Sequence, residues 1–122
     1  MKRTMMAAVL GIFGMALWAC GSSTSDLTPQ TACNELMSTT CQKVSDCTGA
    51  AGLSAVGATS VADCTTQMEA QYCTAAAVDC TAPEKFSSAN AQACIDQFGA
   101  LACTALVSSA DPTPAICNQV CQ

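Results

Sequence analysis

Cysteine is the residue type that offers the most chemistry in this chain. The 122 residues include eleven cysteines and no histidine. A thiolate can bind a metal, exchange disulfides or accept a lipid, whereas histidine-based catalysis and haem attachment at C-x-x-C-H need the absent residue. The chain has no C-x-x-C pair, and its most closely spaced cysteines, Cys117 and Cys121, form C-x₃-C. We interpret that pair as structural half-cystines, because thioredoxin-like chemistry uses C-x-x-C.

The surroundings of Cys20 set it apart from the other cysteines. The chain opens with the basic residues Lys2 and Arg3, and residues 5–18 contain no charge. A helix of these fourteen residues would be about 21 Å long, against a bilayer core of about 30 Å, so the segment suits a secretory signal better than a membrane span. The polar residues that follow also count against a buried core helix. We therefore predict a signal peptide over residues 1–19.

Leu17-Trp18-Ala19-Cys20 resembles the lipobox of bacterial lipoproteins. Leu17 matches the branched apolar position and Ala19 the small position, while Trp18 departs from the usual small or medium residue. In lipoproteins the cysteine thiol receives diacylglycerol, the signal is cleaved before that cysteine, and the new amine is acylated with a fatty acid such as palmitate. The resemblance implies that Cys20 is the lipidation site and the mature N-terminus. Residues 20–30 would then form a flexible Ser/Thr/Gly tether.

A competing cleavage remains open. Ala19-Cys20-Gly21 is an A-x-G sequence that ordinary signal peptidase accepts, and cleavage there would start a soluble protein at Ser22. Both cleavages account for the odd number of cysteines, because ten remain for five disulfides. The predicted disulfide cysteines are Cys33, Cys41, Cys47, Cys64, Cys73, Cys80, Cys94, Cys103, Cys117 and Cys121.

The composition of the mature chain limits its partners and its core. From residue 20 onward, two lysines against nine acidic residues leave a formal charge of −7, which disfavours nucleic acid and anionic lipid surfaces as partners. Only eighteen large apolar side chains remain in this part of the chain. Native disulfides contribute about 2–4 kcal/mol each, so five of them would offset a thin core. They would require an oxidising compartment.

The other side chains form no catalytic constellation in the sequence. No D-x-[DN]-x-[DN]-G calcium loop occurs. A glycosidase pair stays open, since its members can be distant in the chain, but a solvated acidic surface is the simpler interpretation. Met37 and Met68 lie at helical spacing and are interpreted as core residues. We expect no enzyme activity, no metal and no cofactor. The scattered carboxylates are Asp46, Asp63, Glu69, Asp79, Glu84, Asp96 and Asp111.

Apolar periodicity predicts an all-α domain over residues 31–122, with three longer helices and a short C-terminal one. Thr28 and Pro29 are a start signal for the first helix. The glycine-punctuated residues 48–60 are predicted as a loop. We therefore expect a small disulfide-stapled helical bundle. Its predicted helices cover residues 29–46, 61–78, 88–107 and 114–121.

The positions of the cysteines on these helices restrict the pairing. Cysteines eight or nine residues apart in one helix lie about 12–13.5 Å apart along its axis, whereas a disulfide needs Cα atoms within about 4.4–6.8 Å. As trial pairs across the connecting loops we assign Cys47 to Cys64 and Cys103 to Cys117. A repeated C-x₇₋₈-C unit with a period near 30 residues and chance spacing both account for the pattern. The excluded pairs are Cys33–Cys41, Cys64–Cys73 and Cys94–Cys103.

The whole chain resembles the small Cys-rich lipoproteins of myxobacteria and related bacteria. The likeness rests on "LWAC", the Ser/Thr tether, "ACNELMSTTCQKVSDC", "ADCTTQMEAQYC", "AQACIDQFGALAC" and "PAICNQVC". It implies an exported, lipid-anchored envelope protein of unassigned molecular role. In such lipoproteins an Asp after the acylated cysteine often marks inner-membrane retention, so Gly21 implies the outer membrane. We expect a non-enzymatic structural or interaction module held at the membrane by its lipid, with a thiol-based metal or redox protein as the alternative.

Overall fold

The computed structural model describes residues 27–109 and 111–122. The predicted signal peptide, Cys20 and most of the predicted tether lie outside the described residues. These residues contain no strand, since Phe86 and Cys121 form only an isolated antiparallel bridge. The predicted fold class, all-α and stapled by disulfides, is confirmed. The elements are α1 Pro29–Ala55, α2 Val61–Tyr72, α3 Ala75–Val78, α4 Ser88–Gly99, α5 Cys103–Ser108 and a 3₁₀-helix Ala115–Gln119.

Helix α1 begins where the sequence predicts and continues well beyond its predicted end. The Thr28 hydroxyl accepts a hydrogen bond from the Thr31 amide at 3.2 Å, and the Thr31 hydroxyl accepts one from the Thr28 amide at 2.9 Å. This capping box, with Pro29 at the first helical position, satisfies free amides of the first turn. The helix kinks at Gly49, whose φ of 63° and ψ of −154° lie in a region open almost only to glycine, and then continues to Ala55.

The predicted loop over residues 48–60 is therefore wrong for most of its length. Leu53 is only 6% exposed and packs in a cluster with Cys41, Ala58 and Cys64. A glycine in a helix costs about 1 kcal/mol, whereas burying a leucine side chain contributes about 1.5–3 kcal/mol. Packing thus outweighs local preference, and the loop that remains covers residues 56–60.

The second predicted helix, 61–78, is divided after Tyr72, and α3 follows as a single turn. Cys73 lies in the break and bonds Cys33 in the first turns of α1. The Gln30 side chain donates to the Cys73 carbonyl at 2.7 Å. The break therefore closes an antiparallel hairpin of α1 and α2 at the end where α1 begins.

The third predicted helix, 88–107, is also divided. Helix α4 ends at Gly99, and the Lys43 ammonium of α1 donates to the Gly99 carbonyl at 2.8 Å. A cation at a helix C-terminus is favourable because the last carbonyls there lack partners within the helix. The chain resumes as α5 at Cys103, which bonds Cys47 of α1. Contacts with α1 thus hold this division in place.

The fourth predicted helix, 114–121, is a short 3₁₀-helix that follows Pro114. The chain then pairs with the segment before α4. The Ser87 amide donates to the Val120 carbonyl at 2.8 Å, and the Gln122 amide donates to the Lys85 carbonyl at 3.0 Å. This short ladder holds the C-terminal residues against the start of α4.

The core is as thin as the composition predicts. No polar or charged residue is buried among the described residues. Four of the ten buried residues are cysteines and three are alanines, so only three large side chains contribute. Cystine sulfur therefore supplies much of the packed interior. The buried residues are Ala32, Cys41, Leu53, Ala58, Cys64, Cys73, Ala91, Cys94, Ile95 and Phe98.

Candidate functional site

All ten cysteines of the described residues are paired in five disulfides. Their Cα–Cα distances run from 4.8 to 5.9 Å, inside the range of about 4.4–6.8 Å that the bond requires. Helix α1 supplies three of the ten sulfurs and is the element most heavily cross-linked. The pairs are Cys33–Cys73, Cys41–Cys64, Cys47–Cys103, Cys80–Cys121 and Cys94–Cys117.

The trial pair Cys47–Cys64 is wrong. Cys64 bonds Cys41, and Cys47 bonds Cys103. The prediction ended the first helix before Cys47, whereas α1 contains both Cys41 and Cys47. Six residues at about 100° each place these two side chains about 120° apart around the helix axis. One of them therefore meets α2 while the other meets α5.

The trial pair Cys103–Cys117 is wrong for a related reason. The predicted third helix carried Cys103 near its end, but α4 stops at Gly99 and Cys103 opens α5. Cys94, in the middle of α4, bonds Cys117 of the 3₁₀-helix. The structure forms none of the excluded pairs, which are Cys33–Cys41, Cys64–Cys73 and Cys94–Cys103.

The acidic side chains considered in the sequence do not come together. In the described part of the chain, no group of three or more His, Cys, Asp or Glu residues is placed to hold a metal ion. Asp46 and Asp96 each accept a hydrogen bond from a glutamine one helical turn earlier, at 2.8 and 3.0 Å. Hydrogen bonds from the Gln67 side chain and from Thr59 hold the pKa of Asp63 below its ordinary value. These carboxylates therefore accept local hydrogen bonds on helix surfaces and at a helix start.

A polar cleft of about 300 Å³ lies beside α1. Both of its charged side chains have partners within the protein. The Lys43 ammonium donates to the Gly99 carbonyl at 2.8 Å, and the Gln42 side chain donates to Asp46 at 2.8 Å. The cleft therefore presents no unpartnered charge to a ligand. Its lining residues are Ser38, Thr39, Gln42, Lys43, Asp46 and Gly99.

An apolar groove of about 250 Å³ is a second concave surface. The first turns of α1 form one side of it through Pro29, Ala32 and Leu36, and α3 adds Ala77 and Val78. Ala77 is exposed, whereas Ala32 is buried beneath the groove. The start of α1, and with it the point where the preceding chain enters the fold, thus lies at the groove.

The opposite side of the groove comes from the C-terminal half of the chain. Helix α4 contributes Ala91 and Ile95, and Val120 follows from the end of the 3₁₀-helix. Tyr72 also lines the groove and is 49% exposed. None of the fourteen lining residues carries a charge. Such a surface suits an apolar ligand, since concave ligand sites are mostly apolar with few polar groups.

Sequence reasoning missed this groove. Its sides come from elements far apart in the chain, and residues such as Ile95 have the spacing of ordinary core positions. One signal was available in the run of small residues 75–77, because three alanines on a short helix cannot fill the space beside a neighbouring helix. The long-range fold was needed to show that α1 and α4 border that space.

None of the helices in the described residues has the length and apolarity that a membrane span requires. No protein-family model, curated protein or solved structure matches the chain.

Proposed function

We propose that the protein is exported to the bacterial cell envelope, is anchored there by a lipid on Cys20, and acts as a non-enzymatic structural or interaction module. The observation that carries this proposal is the set of five disulfides, which takes up every cysteine of the described residues. Disulfides at this density persist in oxidising compartments such as the periplasm or the cell surface.

The composition of the core supports the proposal of an oxidising compartment. Only Leu53, Ile95 and Phe98 are large and buried, while four buried positions are cysteines. Domains that cannot build a sufficient apolar core typically depend on disulfides. Each bond contributes about 2–4 kcal/mol, and five together are comparable with the whole stability of a small domain, about 5–15 kcal/mol, so a reduced chain would be marginal at best.

Lipidation is supported by the sequence around Cys20 and by the pairing of the other cysteines. Because the ten remaining cysteines bond one another, Cys20 has no disulfide partner left within the chain. Leu17 and Ala19 match the lipobox, and the polar residues after Gly21 suit a spacer between a lipid and a folded domain.

The anchor is tested by expressing the full chain in a bacterium with an outer membrane and measuring the mass of the mature N-terminus. We expect a chain that starts at Cys20 with acyl groups attached, and partition into the detergent phase. Cys20→Ser should abolish both properties while leaving the five disulfides intact. A wild-type protein that is wholly soluble and begins at Ser22 would contradict the proposal.

The membrane is tested separately by fractionation. Gly21 stands where an Asp often marks retention in the inner membrane, so we expect the protein in the outer-membrane fraction. Gly21→Asp provides the matched variant and should move the protein to the inner membrane. Wild-type protein found mainly in the inner membrane would overturn this part of the proposal and leave the lipidation unaffected.

A thiol-based metal or redox protein, the alternative, requires free thiolates. Thiol titration of unfolded, unreduced protein distinguishes the two functions. We expect no reactive thiol from the ten paired cysteines. Four or more free thiols together with bound zinc would favour the alternative.

A further inference from the structure

We propose that the apolar groove beside α1 holds an acyl chain carried by Cys20 of the same molecule whenever the protein is away from a membrane. This inference rests on the proposed lipidation. It assigns the groove one occupant, the molecule's own lipid. The groove would then bury part of the acyl chain that would otherwise be exposed to water.

The first argument is reach. Pro29, which lines the groove, lies nine positions after Cys20. Fully extended, that length of chain spans at most about 30 Å. An acyl chain on Cys20 therefore starts within a short distance of the groove and cannot move far from it. Tethering makes docking intramolecular, so even a weak intrinsic affinity gives high occupancy.

The second argument is chemistry. The groove is bordered by Leu36, Val78, Ile95 and Val120 with alanines between them, and none of its lining residues carries a charge. A hydrocarbon chain needs no polar partner and gains by leaving water. The protein's acidic surface would repel an anionic ligand from solution, whereas a diacylglyceryl group joined to Cys20 by a thioether carries no charge.

The third argument is size. The groove has a volume of about 250 Å³, slightly below the range of about 300–1,000 Å³ typical of ligand pockets. It accepts part of one acyl chain and leaves the rest of the lipid exposed. A bilayer buries every chain completely, so a membrane withdraws the lipid from the groove. The groove is thus occupied in water and vacated at the membrane.

The single tyrosine of the chain makes this testable. Tyr72 lines the groove, and the only tryptophan, Trp18, belongs to the predicted signal peptide. In oxidised protein spanning residues 20–122, Cys20 is the one thiol available for alkylation. We would attach a maleimide bearing a hexadecyl chain with two bromine atoms at its midpoint. Bromine in the groove should quench most of the Tyr72 emission, whereas a methyl maleimide should quench none.

Matched variants separate docking in the groove from general quenching. Ala77→Glu places a charge in the groove at an exposed position and should restore most of the emission. Ala76→Glu changes the neighbouring exposed residue of α3, which does not line the groove, and should leave the quenching unchanged. Circular dichroism of both variants would verify that α3 and the rest of the fold are intact. Vesicles of neutral phospholipid should restore the emission of the wild type.

Each contrary result overturns the proposal. Absence of quenching in the wild-type adduct, or equal quenching in the two variants, shows that the chain does not enter the groove. Quenching that rises with protein concentration assigns the groove to the lipid of a second copy. Equal quenching by free dibromostearate at the same concentration as the adduct assigns it to ligands from solution. Because the chain is attached chemically, these outcomes are independent of whether cells acylate Cys20.

Discussion

The two halves of the chain carry the same order of disulfide bonds on different secondary structure. In the N-terminal half, an outer pair separated by 40 residues encloses an inner pair separated by 23. In the C-terminal half, the outer pair is separated by 41 residues and the inner pair by 23. One further bond, Cys47–Cys103, joins the two inner loops to each other. Each half therefore contains five cysteines, of which two form the outer pair, two form the inner pair and one bonds the other half.

The secondary structure built on this common order differs. The inner pair of the first half, Cys41–Cys64, joins two long helices, whereas Cys94–Cys117 joins α4 to a single 3₁₀-helix. Three of the four prolines lie in the C-terminal half, and the fourth is Pro29 at a helix start, where it is tolerated. Because proline interrupts helices, the second half cannot repeat the α1–α2 hairpin. The pattern of disulfide pairing thus restrains the chain but does not determine which helices form.

The observed pairing does not follow the C-x₇₋₈-C repeat considered in the sequence. The spacing near 30 residues suggested three C-x₇₋₈-C units, but the first of these, Cys33 and Cys41, bonds entirely to the second, Cys64 and Cys73. The bonding consists instead of two sets of five cysteines, and within each set one disulfide loop lies inside another. The recurrence lies in which cysteines pair, and spacing alone does not reveal it.

The largest expected effect compares the two inner disulfides, which close loops of equal separation. Cys41→Ala with Cys64→Ala should lower the free energy of unfolding by about 5 kcal/mol, and Cys94→Ala with Cys117→Ala by about 3 kcal/mol. The loop entropies match, but Cys41 and Cys64 are 0% and 3% exposed, so their loss also leaves a cavity, whereas Cys117 is partly exposed. Denaturant unfolding measures both values. Equal losses would show that burial of the bond adds nothing.

The bond between the halves should produce a loss of about 4 kcal/mol when Cys47→Ala and Cys103→Ala remove it, because it closes the longest loop. Hydrogen exchange should then show α2 and α4 opening with different free energies. Cys33–Cys73 closes a loop of 40 residues within one half, so its removal by Cys33→Ala and Cys73→Ala serves as the control. If α2 and α4 still open together without Cys47–Cys103, noncovalent contacts alone unite the halves.

Glycine-to-alanine substitutions at the kink of α1 and at the last residue of α4 should change the stability in opposite directions. Gly49→Ala should destabilise by about 1–3 kcal/mol, because alanine cannot adopt the backbone of the kink without strain. Gly99→Ala should stabilise by about 0.4–1 kcal/mol, since Gly99 is helical and a Cβ there would lie 3.5 Å from Thr39, an ordinary contact. Thermal unfolding of both variants checks the pair. A stabilising Gly49→Ala would mean that α1 can straighten.

The smallest expected effect is a pH dependence found in both halves. The Gln67 side chain and Thr59 lower the pKa of Asp63, and Thr113 lowers that of Asp111. A lowered folded pKa gives stability above the unfolded value of about 3.9, which is lost as the pH falls through the folded pKa. Asp111 is exposed and Asp63 is only partly buried, so each contribution is small. The measurement is the midpoint of thermal unfolding at a series of acidic pH values. Asp63→Asn should reduce the fall of this midpoint with decreasing pH, and Gln67→Ala should reduce that fall by a smaller amount.

Helix content and starts were accessible from the sequence, because they depend on nearby residues. The sequence itself shows the start signal at Thr28 and Pro29, and also the apolar positions of α4. The divisions at Cys73 and Gly99 were not accessible, since they depend on contacts with Cys33 and Lys43 in α1. The predicted pairing was wrong for the same reason. The direction in which Cys47 points depends on the continuation of α1, and that continuation depends on burial of Leu53 against Cys64 of α2.

The overlapping disulfide loops have a consequence for proteolysis. The bonds Cys33–Cys73, Cys47–Cys103 and Cys80–Cys121 together span every peptide bond from residue 33 to residue 121. A protease that cuts once anywhere in that range, for example after Lys43 or the exposed Lys85, leaves all parts covalently joined. Only a cut before Cys33 separates the domain from whatever Cys20 carries. A nicked domain would therefore remain covalently whole, and a single cut before Cys33 would release it intact.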